Sequence, residues 1–160
     1  KTAEEMETLV KGKELLYRHL YRAHRKPVAG LLPLLSEARG AQIKLGVATA
    51  AMPRNIGYTL DGLGLREKFD TVVGASEVQR GKPHPDIFLK VAERLGVTPE
   101  QCLVFEDAKL GLEAARRAGM PSIALLTGHT REELEGDGVL DYRPTFEGLN
   151  VAEIEHLAAR

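Results

Sequence analysis

The sequence predicts an α/β domain built on a doubly wound, mostly parallel, Rossmann-like sheet. Three observations predict it. Short apolar runs, too short and bulky for helices, alternate along the chain with segments of helical spacing. The runs at 102–105 and 122–126 are apolar at nearly every residue, the pattern of strands covered on both faces. Gly and Pro fall between the two kinds of segment, at 81–85, 96–99 and 119–121. Such alternation implies right-handed crossovers. All strand carboxyl ends then share one edge, where α/β folds bind ligands.

The elements follow in order. Residues 2 to about 24 read as one long polar helix, with an apolar stripe of Met6, Leu9, Val10, Leu16, Tyr17, Leu20 and Tyr21. The basic run from Arg22 to Lys26 suits its C-terminus, and Pro27 ends it. A short helix is predicted between Gly30 and Gly40, a strand over Gln42–Thr49 and a helix over Pro53–Leu63, with Pro53 in the first turn. Phe69–Val73 reads as a short strand. Gly81-Lys82-Pro83-His84-Pro85 reads as a rigid, largely extended loop, because residues before proline avoid the helical region. A helix over Asp86–Leu95 is stopped by Gly96, and Thr98–Gln101 forms a capped single turn.

The central strand starts at Cys102 and delivers Glu106 and Asp107 to the sheet edge, followed by an Ala/Leu-rich helix closed by Gly119 and Pro121. Ser122–Leu126 is a buried strand and Arg131–Glu135 a short helix. Tyr142–Phe146 reads as an edge strand, given Pro144, and Val151–Ala159 as a closing helix.

With 160 residues the chain makes one ordinary domain with a real core. Twenty-two basic against 23 acidic residues give no electrostatic reason to expect nucleic acid or an anionic membrane as partner. No apolar run approaches the roughly 18–20 residues of a membrane span. The charged Lys-Thr-Ala-Glu-Glu start does not read as a signal peptide. A single cysteine, Cys102, gives no disulfide framework, and a reducing cytoplasm is the expected location.

Thr49, Lys82 and the Glu106–Asp107 pair all fall at or just past strand ends. A threonine hydroxyl beside backbone N–H groups at a helix start can hold a phosphate. A lysine fixed between Gly81 and Pro83 can offset oxyanion charge. Two adjacent carboxylates suit a hard cation such as Mg²⁺ that bridges to the phosphate. The competing reading is that both acids only cap the following helix. His84 reads as conformational, and His19, His24, His129 and His156 carry no ligand spacing.

These segments resemble the haloacid dehalogenase (HAD)-like hydrolase superfamily, in its phosphatase and β-phosphoglucomutase-like branch. Val28–Ala38 with Leu45-Gly-Val-Ala-Thr49 is similar to the motif whose hydroxyl binds the phosphoryl group. Gly81-Lys82-Pro83-His84-Pro85-Asp86-Ile87-Phe88 resembles the motif whose lysine neutralises phosphoryl charge. Val104-Phe105-Glu106-Asp107-Ala108, with Gly111 and Ala114–Met120, resembles the motif whose acids bind Mg²⁺. The resemblance runs from about Tyr17 to Leu149. It implies a Mg²⁺-dependent phosphatase or phosphomutase acting through an aspartyl-phosphate on a small phosphorylated metabolite, a sugar phosphate by preference. It implies Thr49, Ala50 and Lys82 at the phosphate, Thr49 and Lys82 in catalysis, and Glu106 and Asp107 at the metal.

The chain also departs from the pattern. The family's nucleophile lies in an Asp-x-Asp-Gly-type motif on its first, central strand, and no such string occurs here; Leu60-Asp61-Gly62 reads as a helix stop. Residues 1–27 are expected to be the last helix and linker of a helical cap, including Lys13 and Tyr17. Residues 28–160 are expected to be an α/β core lacking its first strand, with two neighbouring strands left unpaired. Ala108 and Ala50-Ala51 stand where hydroxyl residues are commoner. A catalytically incomplete fragment is therefore the alternative reading. A metal-independent dehalogenase fits less well, because a serine-asparagine pair is usual where this chain has Thr49-Ala50.

Overall fold

The computed structural model describes residues 2–21 and 25–159. Seven α-helices and five short strands are found among them: α1 (Ala3–Tyr21), α2 (Leu31–Gly40), β1 (Gly46–Ala48), α3 (Pro53–Leu60), β2 (Thr71–Val73), α4 (Asp86–Leu95), β3 (Val104–Glu106), α5 (Lys109–Arg117), β4 (Ser122–Leu125), α6 (Arg131–Leu134), β5 (Val139–Arg143) and α7 (Val151–Ala158). The expected α/β architecture is present, and every strand pairing is parallel. The part of the predicted basic run at residues 22–24 lies outside the described residues.

The strands form two sheets, β1–β2 and β3–β4–β5. Val47 is level with Val72 in the first, and Glu106 with Ala124 in the second. No strand among the described residues pairs with the inner edge of β1 or of β3. Between those edges lies a groove of about 770 Å³ with apolar walls that include Leu34, Val47, Phe88, Phe105 and Phe146. α4 packs against β1 and β2, and meets α5 on the other sheet. It approaches β1 closely because residue 46 is glycine: a Cβ there would stand 2.5 Å from Val91 Cγ1. Val73, Ala114 and Ala115 are fully buried where the sheets share a core with Ile87, Phe88 and Met120. Burying a side chain the size of Ile87 contributes about 1.5–3 kcal/mol.

Several predicted boundaries shift for identifiable reasons. β1 is shorter than the expected 42–49, because residues 41–43 are spent closing α2: Ala41 N–H bonds Glu37 O at 2.9 Å and Ile43 N–H bonds Ala38 O at 2.9 Å. α3 stops at Leu60, where Leu65 N–H returns to the Leu60 carbonyl at 2.8 Å. The last strand is Val139–Arg143, not 142–146; it ends before Pro144, which has no N–H to continue a ladder. Cys102 precedes β3, half-buried, with its Sγ 3.4 Å from Thr98 O, and burial pushes its thiol up.

Four of the seven stripe residues expected on α1 are exposed, and the side chains of Val10, Tyr17 and Tyr21 lie outside the described residues. Met6, Leu9, Leu16 and Leu20 are all at least half exposed. α1 instead meets α3 through polar contacts. Arg18 Nη1 donates to Asn55 Oδ1 at 2.7 Å, and Tyr58 O–H donates to the Arg18 carbonyl at 2.7 Å. Arg25 donates to Tyr58 O at 2.6 Å and stacks 4.6 Å from that ring's centre.

Candidate active site

The carboxyl end of β1 places Thr49 at the edge, its N–H tied to Val73 O at 3.0 Å. The Thr49 Oγ1 accepts from Ala51 N–H at 3.1 Å, the local turn that threonine favours after a strand. Among the described residues the Thr49 hydroxyl has no hydrogen-bond acceptor. Ala50, exposed, lies on the same rim.

Lys82 reaches this edge from a turn, not from the extended loop expected. The Lys82–Pro83 bond is cis, and His84 N–H closes the turn on Gly81 O at 3.0 Å, as in turns with proline at the third position. Arg80 forks onto both Asp86 carboxylate oxygens at 3.1 and 2.9 Å, which ties the turn to the start of α4. The Lys82 ammonium lies 2.5 Å from Glu106 Oε2, 3.5 Å from Ala48 O and 4.8 Å from the centre of the Phe88 ring. It therefore spans from the end of β1 to the end of β3. The His84 side chain does not line this depression.

The two acids after β3 divide their work. Glu106 is 11 % exposed and both its oxygens are engaged. Oε2 takes Lys82, while Oε1 accepts from Asp107 N–H and Ala108 N–H, each at 3.3 Å. Glu106 does not cap α5 by a side-chain bond to its first turn; its carboxylate bonds the N–H groups just before the helix and lies against Gly111. Asp107 does no capping. Its side chain is exposed, and its Oδ2 accepts from Thr127 O–H at 3.0 Å. Among the described residues, its Oδ1 has no partner.

Thr49, Ala50, Lys82, Glu106 and Asp107 thus line one depression of about 610 Å³ at the carboxyl ends of β1 and β3. Among the described residues no three His, Cys, Asp or Glu side chains cluster as a metal cage. The donor set still fits Mg²⁺, which takes one or two carboxylates and completes its six positions with water and substrate phosphate. Asp107 Oδ1, without a partner among the described residues, is the readier hard oxygen; Glu106 already carries Lys82 on Oε2 and two main-chain N–H groups on Oε1.

Sequence reasoning missed Thr127 and His129. His129 Nδ1 lies 2.9 Å from the Asp107 carbonyl oxygen. Both residues follow β4, and the strand-end rule applied to β4 as well as to β1 and β3 would have singled them out.

A family profile for haloacid dehalogenase-like hydrolases matches residues 2–119. A haloacid dehalogenase-like hydrolase domain-containing protein of Arabidopsis thaliana is 31 % identical over 159 residues, covering 97 % of this chain and 50 % of its own length. The fructose-1-phosphate phosphatase YqaB of Escherichia coli is 57 % identical over 61 residues, which are 38 % of this chain and 32 % of that protein. The crystal structure of a β-phosphoglucomutase from Clostridium difficile superposes with a TM-score of 0.86 at 28 % identity, covering 99 % of this chain and 69 % of that one. The chain spans about half the length of the Arabidopsis relative it matches almost end to end. On the profile match, the fold and the strand-end motifs together, the chain belongs to the haloacid dehalogenase-like hydrolase family.

Proposed function

We propose that this chain is the core of a Mg²⁺-dependent phosphatase or phosphomutase acting on a small phosphorylated metabolite, with sugar phosphates the preferred class. The observation that carries it is the Lys82 ammonium, fixed between the ends of β1 and β3 in one depression with the Thr49 hydroxyl and Asp107. A phosphoryl group entering there meets a hydroxyl donor, a cation and a free carboxylate oxygen. Thr49 orients it by its O–H, with Ala50 at the rim. Lys82 offsets charge that develops on its oxygens, within a site only partly open to water. Glu106 holds Lys82 in place and fixes the start of α5. Asp107 is the principal holder of Mg²⁺, with Glu106 beside it; the bound ion would supply charge neutralisation for the phosphoryl oxygens. The phosphatase YqaB and the β-phosphoglucomutase supply the two reaction types considered.

The domain reading belongs to the same proposal. Residues 1–27 are the end of a helical cap, and 28–160 the core. The groove between the unpaired edges of β1 and β3 is the place for a parallel strand that would bring the aspartate nucleophile beside Lys82. Forming an aspartyl-phosphate requires that aspartate. The second reading, an incomplete catalyst, rests on the lack of any Asp-x-Asp string in the 160 residues.

The test is hydrolysis of a panel of sugar phosphates with Mg²⁺ and with EDTA, alongside trapping of acid-labile phosphate on the protein. Mg²⁺-dependent turnover with a trapped acyl-phosphate supports the first reading. Phosphate and metal binding by the 160 residues with no trapped phosphate supports the second. Turnover that is indifferent to EDTA refutes the metal assignment.

A further inference from the structure

We infer that the loop joining β4 to α6 is a positioning clamp on Asp107, with Thr127 its acting group. The inference rests on the proposed metal role of Asp107. Two bonds reach that residue from the loop. Thr127 Oγ1 donates to carboxylate Oδ2 at 3.0 Å, and His129 Nδ1 donates to the backbone carbonyl at 2.9 Å. A carbonyl oxygen only accepts, so the second bond requires the proton on Nδ1. Side chain and main chain of one residue are thus held from a single neighbouring loop. Thr127 holds Oδ2, and Oδ1, without a partner among the described residues, is the readier of the two oxygens to take a cation.

The loop itself is anchored at both ends. It leaves β4, all four of whose residues are buried, and Leu126 N–H continues the ladder to Arg143 O at 2.8 Å. It enters α6 through Thr130 and Glu133: Thr130 N–H bonds Glu133 Oε2 at 2.8 Å, and Glu133 N–H returns to Thr130 Oγ1 at 3.4 Å. Glu106 is level with Ala124 across the β3–β4 ladder, so residues just past the two strand ends face each other. Residues that hydrogen-bond a metal-binding carboxylate set its orientation, and removing one typically costs 10–100-fold in metal affinity. The Thr127–Asp107 bond is exposed to water, which places the effect near the lower bound, about tenfold.

The test is a Mn²⁺ titration of the ¹⁵N-labelled 160-residue chain, followed by paramagnetic broadening of backbone amide signals, a readout that needs no turnover. Wild type is expected to broaden first at residues 106–108, and Asp107→Asn to lose that broadening. Thr127→Val should need about ten times more Mn²⁺ for the same effect with its other signals in place, and Thr127→Ser should restore the wild-type response. Thr127→Val titrating like wild type would overturn the clamp, as would a Thr127→Ser variant that behaves like valine. Wild type that shows no broadening near Asp107 would overturn the metal reading, and the clamp's role with it.

Discussion

Replacing Gly111 by alanine tests whether Glu106 is pressed against the start of α5, because two effects predict opposite signs. In a helix interior alanine is favoured over glycine by about 1 kcal/mol. A Cβ at residue 111 would, however, stand 2.1 Å from Glu106 Cδ, 2.3 Å from Oε2 and 2.4 Å from Cγ. To reach ordinary carbon contact near 3.4 Å, the carboxyl carbon must retreat by roughly 1.3 Å. The carboxylate then cannot keep Lys82 at 2.5 Å, and the pair is only 14 % and 11 % exposed. Removing one partner of a buried pair costs about 3–5 kcal/mol. Here the partner is displaced, not deleted, and water can enter from the depression, so the lower half of that range applies. Set against the helix gain, the net loss is about 2 kcal/mol. For a chain of this length that lowers the midpoint of thermal unfolding by about 4–8 °C. Calorimetry with a urea titration reads both quantities, and an unchanged m-value confirms that only stability moved. A Gly111→Ala protein that melts at or above the wild-type temperature would refute the reasoning. In a Glu106→Ala background the clash is gone, and Gly111→Ala should there be neutral or stabilising.

Three further outcomes follow from the geometry. Asp107→Ala should abolish the response of activity to Mg²⁺ and change the melting temperature little, since its side chain is exposed and makes one hydrogen bond among the described residues; an active variant that still responds to Mg²⁺ would remove Asp107 from the metal site. Arg116 and Arg117 hydrogen-bond Glu113 and hold its carboxyl at about 2, against an ordinary value of 4.5. A carboxylate depressed in the folded state stabilises above its unfolded value and loses that contribution as pH falls through the folded one. The melting-temperature gap between wild type and Glu113→Gln should therefore be constant above pH 4.5 and shrink between 4.5 and about 2; a gap unchanged across that window would show that the pair adds nothing. Tyr58→Phe removes the donor to Arg18 O, a bond of 2.7 Å, at a cost of about 1 kcal/mol. Hydrogen exchange should then speed up in α1 and not in α5, and equal change in both would contradict the local role.

The sequence made the strand ends legible because they depend on local order: an apolar run, then a polar residue, then a helix start. Thr49, Glu106 and Asp107 come together at the ends of β1 and β3 by that rule, and Lys82 joins them from the turn before α4, well past the end of β2. It could not say how two adjacent acids share labour, since that depends on Gly111 making room for one carboxylate and on Lys82 arriving from another loop. The same rule applied to β4 reaches Thr127 and His129, but it could not give their partner, which lies 20 and 22 residues away. The stripe on α1 was read correctly as a pattern, yet a pattern does not name the surface that covers it.

Lys82 shows why the site and the fold cannot be separated here. Among the described residues no strand partners the inner edges of β1 and β3, which face an apolar groove, an arrangement in which main-chain polar groups lack the pairing they normally have. At the carboxyl end of that groove, the bridge is the Lys82 side chain, from Ala48 O at 3.5 Å to Glu106 Oε2 at 2.5 Å. The group proposed to offset phosphoryl charge thus also touches both sheets. Any group that draws Lys82 away from Glu106, whether a phosphate or a carboxylate entering from the groove, must replace that tie with contacts of its own. Binding at the depression therefore competes with the contacts that Lys82 makes to the ends of β1 and β3.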